Sequence, residues 1–136
     1  MDSETLFQKL GGEPRLRAII ETFIDRVFDD RMIGFFFRNA DRNRLKELEY
    51  QLTARFLGAQ VEYTGRPLDE AHARHPIMGG QFMRRQQILR ETLEEYGVPG
   101  EIREAWLSHT ESLRSQITGD TGSDCDPDRA RKKVRG

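Results

Sequence analysis

The strongest pattern in the chain is a helical repeat of apolar residues between Pro14 and Asp30. Apolar side chains recur there at i, i+3, i+4, i+7, i+8, i+11 and i+12, which places them on one continuous face of an α-helix. Pro14 suits the first turn of that helix, where its missing N–H is not needed. We therefore predict a long helix whose buried face consists of Leu16, Ile19, Ile20, Phe23, Ile24, Val27 and Phe28.

The rest of the chain repeats this helical spacing, and no stretch alternates cleanly between apolar and polar residues as a half-buried strand would. Glycine and proline residues stand at the ends of the apolar repeats, where helices usually stop. The run Met32–Phe37 is too short for a core helix and too aromatic for a free loop. The fold class is all-α, with four substantial helices and short linking pieces. Besides the first long helix, we predict helices over 5–10, 41–57, 68–75 and 81–96, and another from Pro99 onward.

One predicted helix carries a charge inside its apolar stripe. The stripe of the helix over 41–57 consists of Leu45, Leu48, Leu52 and Phe56. Glu49 comes four residues after Leu45 and three before Leu52, so it lies on the same face. A carboxyl group is unexpected at a position that the helical repeat marks as apolar.

Composition narrows the class of protein. Charged residues make up 33% of the 136 residues, against about 25% in ordinary globular domains. The formal net charge of −1 gives no global attraction to nucleic acid. No apolar run is long enough to cross a bilayer, and the N-terminus lacks the apolar core of a secretory signal. We expect a cytoplasmic protein with no nucleic-acid or membrane partner.

The apolar repeat stops before the last part of the chain. Residues 119–136 are rich in Gly, Asp and Arg and contain the single cysteine, Cys125. A lone cysteine excludes an internal disulfide and a cysteine-rich zinc site. We predict one domain over residues 1–118, followed by a flexible charged tail over 119–136.

The chain has few groups for catalysis or metal binding. No nucleophile elbow or phosphate-binding loop is present, and the only histidines are His72, His75 and His109. His72 and His75 are spaced i, i+3, with Asp69 three residues before His72, so they could form part of a metal site. The histidine pair is incomplete, because no third strong ligand lies at a readable spacing. A histidine on a short helix, an aromatic run and an apolar stripe also fit haem. The pattern by itself favours ordinary packing and surface histidines.

Four separate segments resemble group I truncated haemoglobins. These are Thr5–Glu13 (TLFQKLGGE), Phe23–Val27 followed by Phe36 and Phe37, Tyr63–His72 (YTGRPLDEAH), and Gly97–Pro99. They occur in the family's order, and the match spans about residues 4–117. The resemblance implies a shortened globin, a two-over-two helical sandwich around haem b.

The resemblance also assigns expected roles to particular residues. His72 takes the position of the proximal iron ligand, with His75 as the competing ligand one helical turn away. Phe37 takes the position of the phenylalanine that stacks on the haem. The further expected haem contacts are Leu68, Ile77 and Phe82 on the proximal side, Ile24, Leu45 and Glu49 on the distal side, and the stripe residues Leu48 and Leu52.

The chain departs from the family pattern on the distal side. Ile24 stands where the family usually has a tyrosine that hydrogen-bonds bound dioxygen, and Glu49 stands where it often has a glutamine. Bound dioxygen carries negative charge, so an ionised Glu49 would repel it and a protonated Glu49 would donate a hydrogen bond to it. The alternative is that Glu49 swings out and pairs with an arginine such as Arg26 or Arg55.

We rank three functions. The first is a haem protein that binds oxygen, nitric oxide or carbon monoxide, with weak stabilisation of oxygen and no catalytic residues. The second is a haem enzyme, either a nitric oxide dioxygenase served by an external reductase or a peroxidase-like protein that uses Glu49. The third is a haem-free helical interaction module.

Overall fold

The computed structural model describes residues 4–65 and 79–114. Every regular element in these two ranges is helical. The elements are α1 (Leu6–Leu10), α2 (Gly12–Asp29), a 3₁₀ helix (Gly34–Phe37), α3 (Arg42–Phe56), α4 (Gly79–Glu95) and α5 (Gly100–Ser112). The predicted all-α fold class is confirmed, and the aromatic run forms the 3₁₀ helix. The helix predicted over 68–75 and the tail over 119–136 lie outside the described residues.

Local sequence signals explain where α1 begins and ends. The Thr5 hydroxyl accepts a hydrogen bond from the Gln8 backbone N–H, and the Gln8 side chain accepts one from the Thr5 N–H, both at 3.0 Å. This reciprocal capping box satisfies two donors that a helix start leaves open. Gly11 ends the helix with a φ of 126°, which side chains rarely tolerate.

The core forms around α2, as its apolar repeat predicts. Six of the seven stripe residues are buried, and Phe28 is half-buried. Helices α3 and α4 pack against α2, and α5 packs against α4. The main core also takes Leu89 and Leu93 from α4, and Ile102 and Trp106 from α5.

The leucine stripe of α3 is not the face that this helix buries most deeply, although its apolar repeat predicts so. Its buried residues are Tyr50, Gln51, Thr53 and Ala54. The Gln51 side chain satisfies its polar groups by donating to Glu47 and accepting from the Thr64 backbone N–H. The leucine stripe, made of Leu45, Leu48 and Leu52, is only half-buried by the described residues.

The 3₁₀ helix is pressed against the end of α2. A methyl group on Gly34 would lie 2.4 Å from the carbonyl oxygen of Phe28, so only glycine allows this close approach. This position of the 3₁₀ helix brings Phe37 against Phe82 of α4, and these rings form a second, small apolar cluster with Leu113.

Within the described ranges, no helix has both the length and the apolar character needed to cross a membrane.

Candidate functional site

The expected site residues are divided between described and undescribed parts of the chain. Leu68, His72 and Ile77 lie outside the described residues, as does the competing ligand His75. The remaining expected contacts are Ile24 on α2, Phe37 on the 3₁₀ helix, Leu45, Leu48, Glu49 and Leu52 on α3, and Phe82 on α4. Helices α2, α3 and α4 therefore frame the described side of the candidate site.

Phe37 and Phe82 form an aromatic wall where the 3₁₀ helix meets α4. Phe82 is fully buried and Phe37 is half-buried against it. Phe37 also contacts Phe28, with ring centroids 5.3 Å apart and planes tilted by 34°. Contacts on two sides hold the Phe37 ring in place and leave part of its surface open.

Ile24 lies on the inner face of α2. Its side chain belongs to the main core and is buried. An isoleucine has no hydrogen-bond donor, so this part of α2 offers only an apolar surface. Ile24 is therefore a well-packed hydrocarbon side chain, and its expected contact with haem stays a prediction.

Glu49 forms an ion pair inside the molecule. An Nη2 atom of Arg85 donates to Glu49 Oε2 at 3.1 Å, and the side chains of Glu49 and Arg85 are only 18% and 13% exposed. Arg26, one of the two arginines expected as partners, instead donates to Thr92 and Glu95. The partner is thus Arg85 of α4, a residue that the sequence analysis missed.

A signal for Arg85 was present in the sequence. Arg85 follows Phe82 by three residues and precedes Leu89 by four, so it stands in the apolar stripe of α4. Glu49 interrupts the stripe of α3 in the same way. Two opposite charges, each inside the apolar stripe of a different helix, indicate a buried pair.

The Arg85 guanidinium contacts an aromatic ring. Its central carbon is 4.9 Å from the ring centroid of Phe23, within the range of a cation–π contact. Arg85 also lines a small cavity, with no room for a water molecule, together with Ile33, Phe36, Phe37 and Gln81. Glu49 does not line this cavity.

The charge of Glu49 reaches two further titratable groups. Burial raises the pKa of Tyr63, and the nearby Glu49 carboxylate raises it further. Burial lowers the pKa of His109, while Glu49 acts in the opposite direction. The His109 ring stacks on Phe56 with centroids 4.0 Å apart and planes 9° from parallel. His109 is thus a half-buried boundary residue of α5 that contacts the α3 stripe.

The described residues fit a large, flat, apolar group. The α3 leucine stripe is half-buried although leucines normally prefer full burial. The open side of Phe37 supplies an aromatic surface, and haem needs apolar walls of this kind. The cavity beside Arg85 has no room for a water molecule, so it is not a ligand pocket by itself.

The sequence matches a known protein family over most of its length. The family model described as "Bacterial-like globin" matches residues 5–119. The chain belongs to the bacterial-like globin family. The group 1 truncated haemoglobin GlbN of Mycolicibacterium paratuberculosis is 30% identical to this globin over 119 residues, covering 87% of this chain and 88% of the relative.

Other relatives and solved structures agree with this placement. A group 1 truncated haemoglobin of Tetrahymena pyriformis is 27% identical over 116 residues, covering 85% of this globin and 96% of the relative. The crystal structure of the truncated haemoglobin from Tetrahymena pyriformis in its Fe(III) form has a TM-score of 0.78 at 26% identity. It covers 86% of this globin and is itself covered completely. The expected resemblance to truncated haemoglobins is confirmed.

Proposed function

We propose that this globin binds haem b through His72 and takes up diatomic ligands, namely oxygen, nitric oxide and carbon monoxide, at the iron. The half-buried leucine stripe of α3 supports the proposal, because an apolar face that the protein does not bury completely is available to an apolar ligand. Membership of the globin family supports haem as that ligand. Haem supplies an iron with a coordination position at which a diatomic ligand binds.

In this proposal, different residues of the chain contact the two faces of the haem. Leu45, Leu48 and Leu52 cover one face and exclude water from it, while Phe37 and Phe82 contact the ring on the side of α4. Leu68 and Ile77 complete the proximal surface around His72 in this proposal. Burying an apolar ring against these side chains is favourable at about 25 cal/mol per Å² of apolar surface.

The distal side would stabilise oxygen weakly. Ile24 is buried and has no donor, and the Glu49 carboxylate already accepts a hydrogen bond from Arg85. Nitric oxide and carbon monoxide depend less than oxygen on a distal hydrogen bond. We therefore expect fast loss of oxygen, ready oxidation of the haem and a need for an external reductase, while both other gases still bind.

Absorption spectroscopy tests the proposal directly. We would reconstitute the full chain with haem and compare the wild type with His72→Ala and His75→Ala in ferric, dithionite-reduced and carbon monoxide-bound forms. A Soret band that shifts with carbon monoxide, and that His72→Ala weakens or alters, is the expected result. A spectrum that survives His72→Ala and is lost in His75→Ala would move the ligand by one helical turn. No saturable haem uptake by the wild type would reject the proposal and leave a haem-free helical module.

A further inference from the structure

An exposed apolar patch lies where α2 leads into the 3₁₀ helix. Met32, Phe35 and Phe36 are 62%, 53% and 39% exposed, and they are three of the four exposed large apolar side chains among the described residues. The rings of Phe35 and Phe36 lie together, with centroids 4.1 Å apart. We call these three residues the 3₁₀ patch. Large apolar side chains that cluster at a surface are typical of interaction sites, whereas single ones are ordinary.

The backbone that carries the 3₁₀ patch is firmly packed. Ile33 and Gly34, in the middle of the same stretch, are buried. Phe37, directly after the patch, packs against Phe28 and Phe82. The exposed side chains therefore stand on a fixed backbone, and a preorganised surface loses little conformational entropy when a partner binds.

The 3₁₀ patch has an arginine at each end of its stretch. Arg31 and Arg38 are both exposed, and neither side chain forms an ion pair within the described part of the chain. The nearest carboxylates in the sequence are engaged elsewhere, because Asp30 pairs with Arg84 and Asp41 accepts a hydrogen bond at the start of α3. Two guanidinium groups beside the patch are thus open to an external partner.

This combination of residues favours a small interface with an acidic protein. Aromatic residues, Met and Arg are the types enriched in protein–protein interfaces. The patch and its two arginines are far fewer than the roughly 20–30 residues per side of a stable interface, so they suit a transient complex such as those of electron-transfer proteins. A symmetric pair of copies of this chain would bring like-charged arginines together. Surfaces that bind anionic lipid usually carry about four to eight basic residues, more than are present here.

We propose that the 3₁₀ patch, with Arg31 and Arg38, is the docking surface for an acidic electron-transfer protein that reduces the haem iron. The inference rests on the proposed function, in which the haem oxidises readily and an external reductase is needed. In that proposal Phe37 contacts the haem, and Phe36 directly precedes it, so a partner on the patch docks beside a haem contact. In each transfer the reduced cofactor of the partner loses one electron, and the ferric iron gains it and becomes ferrous.

Binding of an acidic flavodoxin tests the surface. The haem-reconstituted full chain, in its carbon monoxide-bound form, would be titrated with oxidised flavodoxin and followed by NMR of the backbone amides. We expect the shifts to centre on residues 31–38 and the affinity to fall as the ionic strength rises. Arg31→Glu/Arg38→Glu should weaken binding about tenfold or more, because two attractions become repulsions. Phe35→Ser should weaken it about fivefold, because less apolar surface is buried.

Two control variants carry the same kinds of change outside the patch. Lys9→Glu/Arg55→Glu changes the net charge by the same amount at two exposed positions, and α1 packs at the other end of the chain segment that α2 spans. Met83→Ser removes the fourth exposed large apolar side chain, which lines a cleft between α4 and α5. Both variants should bind flavodoxin within about twofold of the wild type.

Reduction of the ferric protein under carbon monoxide gives a second readout. Reduced flavodoxin should reduce the wild type about tenfold or more faster than Arg31→Glu/Arg38→Glu, measured by stopped flow from the shift of the Soret band. Dithionite should reduce both proteins at rates within about threefold of each other, since a small reductant needs no docking surface.

The outcomes are distinct. Equal affinities and reduction rates for the wild type and Arg31→Glu/Arg38→Glu, including no interaction with either, would overturn the inference. A wild-type dimer that Phe35→Ser dissociates, without flavodoxin binding, would assign the patch to a second copy of the chain and also overturn it. Binding to phosphatidylserine vesicles that Phe35→Ser abolishes, again without flavodoxin binding, would assign it to a membrane surface instead. A wild type that takes up no haem would reject the proposed function on which the inference rests.

Discussion

Arg84 and Asp30 tie the start of α4 to the end of α2. Arg84 donates to Asp30 Oδ1 from Nε at 3.0 Å and from Nη2 at 2.7 Å. The other carboxylate oxygen accepts from the backbone N–H groups of Met32 and Ile33, at 2.9 and 3.1 Å. One largely buried carboxylate therefore fixes the turn that carries the 3₁₀ helix, and with it the position of Phe37.

This relationship predicts a pH-dependent contribution to stability. The Arg84 side chain and the Met32 and Ile33 N–H groups hold the pKa of Asp30 below its usual 3.8. Asp30 therefore stabilises the fold above about pH 4, and this stabilisation is lost as the pH falls from there towards the lower folded-state pKa. We expect Asp30→Asn to cost about 2 kcal/mol at pH 7, with a smaller difference from the wild type at pH 3.

Urea unfolding at both pH values measures this effect. Asp29→Asn is the matched control, because Asp29 is the adjacent carboxylate, is 71% exposed and contacts Arg42 at 3.3 Å. It should change the free energy of unfolding by less than about 0.5 kcal/mol. Equal losses for Asp29→Asn and Asp30→Asn would show that the buried network contributes nothing beyond an ordinary surface pair.

Glu49 and Arg85 should be strongly coupled in stability. Replacing either residue alone by leucine leaves its partner as an unpaired charge in a largely buried position, at a cost of about 3 kcal/mol. Replacing both should cost clearly less than the sum of the two single changes. A double-mutant cycle from urea unfolding gives the coupling energy. The exposed pair Arg90–Glu104 is the matched control and should have a coupling energy below about 1 kcal/mol. An equally small coupling energy for Glu49 and Arg85 would contradict a buried ion pair between them.

Gly34 should be far more sensitive to alanine substitution than Gly80. A methyl group at Gly34 would meet the Phe28 carbonyl at 2.4 Å, and that backbone atom cannot move without shifting the end of α2. At Gly80, in the first turn of α4, an added methyl group meets nothing within 4 Å. We expect Gly34→Ala to lower the free energy of unfolding by at least about 2 kcal/mol and Gly80→Ala to raise it by up to about 1 kcal/mol. Thermal unfolding of the two variants checks this, and a tolerated Gly34→Ala would contradict the close packing of the 3₁₀ helix.

His109 should titrate below its usual range. Burial lowers its pKa below 6.5, and the Glu49 carboxylate limits the shift. Since the folded state disfavours the protonated ring, the wild type should lose stability as the pH falls through about 6.5. NMR titration of the imidazole protons measures the pKa, and the resonance that disappears in His109→Phe identifies the residue among the three histidines.

Glu49→Gln provides the electrostatic control for His109. Removing the carboxylate takes away the one effect that raises the His109 pKa, so the value should fall further. His109→Phe keeps an aromatic ring against Phe56 and should remove the stability loss between about pH 7 and 5. A His109 pKa above 6.5, or one unaffected by Glu49→Gln, would contradict the described surroundings.

The helices and the family could be predicted from the sequence because their signals are local. The α2 stripe from Leu16 to Val27 is a spacing along the chain, and a 3.6-residue period places such residues on one face wherever the helix packs. Thr5 and Gly11 bound α1 through contacts within a few residues. The spaced motifs that resemble truncated haemoglobins are likewise visible without any tertiary contact.

Only the tertiary structure decided which face of α3 is buried and which residue pairs with Glu49. The apolar repeat in α3 predicts that Leu45, Leu48 and Leu52 face the core. Which face of a helix meets the core depends on the neighbouring helices, and the face that α3 buries carries Gln51 and Thr53. The partner of Glu49 was undetermined for the same reason. Several arginine side chains are long enough to reach a carboxylate on α3, and only the packing of α4 against α2 brings Arg85, 36 residues away in the chain, within 3.1 Å. Periodicity reports which residues share a face, whereas the partner across that face is decided by how the helices are arranged in space.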